Sequence, residues 1–150
     1  MKIIIRLGII IVLLCLFVIP VQAQSEERAY ELGSVWSIGY AKTKPGQFDK
    51  LMNGHLANVY TKYYDEMIKD GTVLSYKILS VTWPRDNEPN LIFLVEFKNW
   101  AAFDSPPEYW DGIIEKITGT LDKATQSRID REKLRTLRGD LVAEEIIFKN

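Results

Sequence analysis

The residues best placed to do chemistry lie in the stretch "NGHLANVYTKYY", positions 53–64, which holds His55, the one histidine of the chain. An imidazole titrates near neutrality, so it can take a substrate proton, donate a hydrogen bond or ligate a haem iron. At helical spacing His55 falls between Leu51 and Val59, on an apolar arc that also carries Phe48, Met52 and Tyr63. That arc should look toward a sheet. His55 is therefore a weak candidate catalytic residue beside a pocket. The competing reading is a partly buried side chain with a local hydrogen-bond partner.

The aromatic residues are the second resource. Trp36, Trp100 and Trp110, with Tyr40, Tyr60, Tyr63 and Tyr76, are a generous set for a small domain. Most should serve the core and an interface, and a flat ligand could stack among them. Trp83 stands in the proline-bearing loop "TWPRDNEPN", where it is the tryptophan most open to exposure or to acting as a lid. Glu96 interrupts the apolar run "LIFLVEF". It must be paired, face a polar space or lie near a strand end, because a lone buried carboxylate has its pKa raised. Gly54, in the helical stretch, has no packing reason in the sequence.

Other chemistries lack their residues. One histidine and a single cysteine, Cys15, cannot supply the usual ligand set for zinc. No loop has EF-hand spacing, and there is no nucleophile elbow, phosphate-binding loop or dinucleotide fingerprint. The charge balance is slightly acidic and no basic stripe stands out, which argues against nucleic acid as a partner.

These residues need elements to hold them. The N-terminus carries Lys2 and Arg6, then an apolar run from Leu7 to Ile19, then Pro20 and Val21-Gln22-Ala23. A run of about 13 residues is short for a membrane span of about 20 and suits a cleaved secretory signal, residues 1–23. The alternative is an uncleaved anchor. Cleavage before Gln24 would remove Cys15 and leave a secreted or periplasmic chain with no disulfide and no membrane segment. Losing Lys2 and Arg6 takes the net charge from −1 to about −3.

Residues 24–33 read as a polar lead-in, and 34–150 as one domain. "SVWSIGYAKT" (34–43) is a strand, with Trp36, Ile38 and Tyr40 on one face and Val35, Gly39 and Ala41 on the other. A helix runs from Gln47 to Asp70 and ends at Gly71. "TVLSYKILSV" (72–81) and "LIFLVEF" (91–97) are strands joined by the long loop. Ser105 should cap the next helix, with Pro106 first and Glu108 completing a capping box; Gly119 stops it. Residues 121–138 form a polar helix with Lys133, Arg135 and Arg138 in its last turn, ended by Gly139. "LVAEEIIF" (141–148) is the last strand.

The order β-α-β-β-α-(α)-β is that of an α+β ferredoxin-like domain, a four-stranded antiparallel sheet with strands one and three central. "LIFLVEF" is apolar on both faces, whereas a sheet with one wet face would alternate. Something should cover the face opposite the helices, and a second copy does so most simply, giving a homodimer. A monomer with a merely hydrophobic central strand is the alternative.

The segments "KPGQFDKL", "DGTVLSYKILS", "NLIFLVEFKNWAAFD" and "REKLRTLRGDLVAEEIIFK" resemble secreted bacterial proteins of the dimeric α/β-barrel superfamily, which is antibiotic-biosynthesis-monooxygenase-like. The resemblance spans residues 34–149. It implies a dimeric α/β barrel with a pocket between the sheet and the helices of each subunit. The superfamily includes cofactor-independent and haem-degrading monooxygenases, lactone isomerases and ligand-binding members, so fold alone does not choose among them. Three expectations follow. One is a module binding a small apolar or aromatic molecule at His55, Val59, Tyr63, Trp36 and Trp110. Another is a monooxygenase-like enzyme, cofactor-independent or haem-linked, using His55. The third is a purely structural dimer with a filled interior. No metal is expected, and no cofactor other than that haem.

Overall fold

The computed structural model describes residues 27–150, so the expected secretory signal lies outside the described residues. The chain forms strand β1 (Tyr30–Thr43), helix α1 (the consecutive pieces Phe48–Leu51, Met52–Tyr60 and Thr61–Lys69), strands β2 (Val73–Ser80) and β3 (Leu91–Phe97), a 3₁₀ turn (Trp100–Asp104), helices α2 (Pro107–Thr118) and α3 (Leu121–Leu134), and strand β4 (Arg135–Phe148). The strands make one antiparallel sheet in the order β2-β3-β1-β4. This is the ferredoxin-like α+β fold, with β1 and β3 central as the sequence predicts.

The two sheet faces differ. Val35 faces Phe97, Gly39 faces Phe93 and Ala41 faces Leu91 across β1 and β3. On this side Val35, Ala41, Leu91, Phe93, Val95 and Phe97 are buried under the helices with Leu51, Leu56, Met67 and Val73. On the other side Ile38 lies between Leu94 and Leu141, and Tyr40 is paired with Ile92. Leu79 joins this row from β2. The centre of that second face is apolar and has no covering element among the described residues. Glu96 sits on it, and its carboxylate accepts hydrogen bonds from Ser34 Oγ (2.9 Å) and Ser75 Oγ (2.6 Å).

Helix α1 is composite: Phe48–Leu51 is α-helical, Met52–Tyr60 is π-helical and Thr61–Lys69 is α-helical again. In the π segment the backbone bond spans five residues instead of four. Accordingly the buried contacts run from Leu51 to Leu56, five apart and 0% and 1% exposed. A 3.6-residue wheel centres the arc on His55; the π register centres it on Leu56 and turns His55 and Val59 toward its flank.

Three boundaries move from the sequence reading. β1 begins at Tyr30 rather than 34, because its first residues pair with the end of β4, Tyr30 with Phe148 and Leu32 with Ile146. α2 begins at Pro107, with Pro106 as N-cap and no capping side chain, in place of the Ser105–Glu108 box. A residue that precedes proline is kept out of the α region, so Pro107 holds Pro106 extended (ψ 155°) and delays the helix. α3 ends at Leu134 instead of 138, and residues 135–137 pair with Thr43, Lys42 and Ala41. Gly139 (φ 128°) falls inside β4, beside a register shift, and is no helix stop. By contrast Gly119 (φ 88°) does stop α2 in the left-handed region.

Candidate functional site

A cavity of about 380 Å³ opens between the sheet and the helices. Its floor is β1 and β3, through Ser37, Gly39, Phe93 and Val95. One wall is α1, through His55, Val59, Tyr60, Tyr63 and Tyr64; the other is α3, through Ala124, Arg128 and Arg131. The start of β4 closes it with Arg135, Leu137 and Asp140. A glycine within a central strand removes a side chain from the floor, as happens where something must approach the backbone.

Of the residues expected to bind a ligand, His55, Val59 and Tyr63 line this cavity together. Trp36 and Trp110 do not. Trp36 belongs to the uncovered face, paired beside Glu96 and Ala143. Trp110 packs on the core near Val35 and Phe97 and donates from Nε1 to Ser105 O at 3.1 Å. Trp83 is 92% exposed in the β2–β3 loop and does not line the cavity.

His55 sits between α1 and α3. Arg131 Nη1 lies 3.4 Å from Nε2, and Ser127 Oγ lies 3.1 Å from Nδ1. A guanidinium can only donate. Nε2 is therefore the acceptor, the ring proton is assigned to Nδ1, and Nδ1–H donates to Ser127. Burial, then the positive charges of Arg131 and Arg135, push the His55 pKa down to about 4 against a partial offset from Glu132. The ring is neutral at pH 7 and its basic lone pair is already engaged. A haem iron would need that same lone pair, and a cation faces it. The site does not fit haem, and His55 is poorly set to act as a base.

The tyrosines form one cluster. The Tyr60 ring is 4.7 Å from Tyr64 and 5.2 Å from Phe93, centroid to centroid, and Tyr64 is 5.7 Å from Tyr76. Burial raises the pKa of Tyr60, Tyr63 and Tyr64, so all three remain neutral phenols. The Tyr60 hydroxyl is buried without a hydrogen-bond partner.

The sequence reading missed the arginines. Arg135 is 7% exposed, stacks over the Phe93 ring at 5.5 Å, and has no partner for Nε. Its Nη2 is 3.5 Å from Glu132 Oε1, which also meets Arg131 Nε at 3.0 Å. Burial, followed by the neighbouring Arg131, lowers the Arg135 pKa. Part of the signal was present: Arg128 and Arg131 stand three apart on one face of α3, whereas Arg135 joins them as the first residue of β4.

No protein-family model matches the chain, and no curated protein is significantly similar to it. Similar solved structures include a dimeric ferredoxin-like protein from an uncultured marine organism, at 12% identity and a TM-score of 0.49, covering 80% of this chain and 91% of that one. A conserved protein from Methanosarcina mazei Go1 aligns at 14% identity and a TM-score of 0.40, covering 79% and 94%. A dimeric ferredoxin-like protein of unknown function from Jannaschia sp. CCS1 aligns at 14% identity and a TM-score of 0.39, covering 75% and 98%. The assignment of fold rests on this chain's own strand order.

Proposed function

We propose that the protein is an exported homodimeric binding module that holds a small aromatic or apolar molecule between its sheet and its helices. The cavity carries this reading. Pockets for small ligands have volumes from about 300 Å³ upward and set convergent polar groups against apolar and aromatic walls; this one sets Arg128, Arg131, Arg135 and Asp140 against Val59, Phe93, Val95 and the tyrosine rings. A purely structural domain would fill the space instead. The enzyme reading loses support because both nitrogens of His55 are engaged.

The second copy belongs on the uncovered face. Ile38, Leu94, Ile92, Leu79 and Leu141 form an apolar centre that a two-fold axis would lay against itself. The β1–β4 ribbon extends this demand. Along β1, only Val35–Ala41 pair with β3, so Tyr30–Leu32 and Ile146–Phe148 run on as two strands alone. Such a ribbon is marginal in water without cover: Ile147, on the same side of β4 as Leu141, is 41% exposed, and Leu32, Ile146 and Phe148 on the ribbon's other side are 53%, 57% and 72% exposed. Export rests on the charged start and apolar run of residues 2–19.

Native mass spectrometry of protein taken from the exported fraction of its own host tests all three parts. The expected species is a dimer starting at Gln24 with extra mass from a retained ligand. A bare dimer would count against the ligand, and a monomer against the facing sheets.

A further inference from the structure

Building on the proposed binding cavity, we infer that its ligand is a small aromatic acid, whose anionic group is received by Arg128, Arg131 and Arg135 and whose ring lies among Tyr60, Tyr63 and Phe93.

The charge inventory points this way. Three guanidiniums line the cavity, against one lining carboxylate, Asp140. Glu132 answers part of that charge through its contacts to Arg131 and Arg135, but it is one carboxylate for two cations. His55 contributes none, since it is neutral at pH 7. Arg131 and Arg135 share the single carboxylate of Glu132, and charge taken out of water beside aromatic rings is costly until it is fully paired, so a second anion would stabilise the patch. The patch is also incomplete in hydrogen bonds. Arg135 Nε is buried and lacks an acceptor. Buried donors are almost always satisfied. Guanidinium is the group best matched to a carboxylate, through its planar fork.

The rest of the cavity sets the remainder of the ligand. The phenol rings and Phe93 offer faces and edges to a flat ring system. Gly39 leaves the floor open beneath it, where an added Cβ would first meet Phe93 Cβ at 3.7 Å. The volume limits the molecule to one or two fused rings, and His55, with its lone pair held by Arg131, acts as a positioning residue for that arginine.

The test is calorimetric titration of the mature, full-length protein with 2-naphthoate and with its neutral isostere 2-naphthamide. We expect the acid to bind once per chain and at least tenfold more tightly than the amide. Arg135→Gln should remove most of that difference while leaving amide binding in place. Arg135 is buried, so that variant could fail to fold; Arg128→Gln, at an exposed position, is the second, and should weaken the acid alone by about threefold or more. Equal affinities for acid and amide would overturn the inference and leave the binding cavity standing. Unchanged acid binding in both arginine variants would also overturn it. Absence of binding by either probe would overturn the binding reading itself.

Discussion

At the scale of single residues, the surroundings of His55 decide what it can do. Its pKa of about 4 lies below the 6.5 of a free imidazole, so the neutral ring is the form the fold favours. The unfolded chain binds a proton at higher pH than the folded one does. Stability from this group is therefore fully present above about pH 6.5 and is lost as pH falls from there toward about 4. Urea unfolding across that window should show a steeper loss of stability in the wild type than in His55→Gln. Parallel profiles would mean that the ring titrates normally. Sequence spacing placed His55, Val59 and Tyr63 on one helix face, and all three reach the cavity. Trp36 shares its strand face with Ile38, and strand alternation alone was enough to separate it from Val35 and Gly39. The arginines were harder to read. Arg135 resembles an ordinary cation at a helix end until β4 is seen to start there.

At the scale of elements, the runs of strand formers and the turn residues made the order of the fold legible. The boundaries were less so. "LRTLRG" carries no β pattern of its own, and only pairing with Thr43, Lys42 and Ala41 makes it a strand. The π-helical turn of α1 was also hidden, since a helical wheel assumes one period. It does account for how Leu51 and Leu56 share the core while His55 turns to α3. Gly54 in that segment still has no packing role, as an added Cβ would meet nothing within 4 Å. Glycine in a helix interior costs about 1 kcal/mol relative to alanine. Gly54→Ala should thus stabilise the protein by about 0.5–1 kcal/mol and raise the melting temperature by about 2–4 °C. A destabilised variant would show that the π segment needs glycine at this point.

At the scale of the whole molecule, one sheet supports two different surfaces. The helix face builds the core and the cavity; the opposite face is the one proposed to meet a second copy. The two can be separated experimentally. Ile38→Arg places a charge at the centre of the open face without touching the cavity. Sedimentation velocity should show a wild-type dimer and a folded Ile38→Arg monomer. A wild type that sediments as a monomer would remove the facing-sheet arrangement. A ligand in the cavity would occupy the space above Gly39, so 2-naphthoate titration of Gly39→Val beside the wild type probes that space itself. Valine suits a strand and its Cβ fits the backbone there. The variant should fold, be at least as heat-stable as the parent, and bind at least tenfold more weakly because its floor is filled. Undiminished binding by Gly39→Val would contradict a ligand in that space.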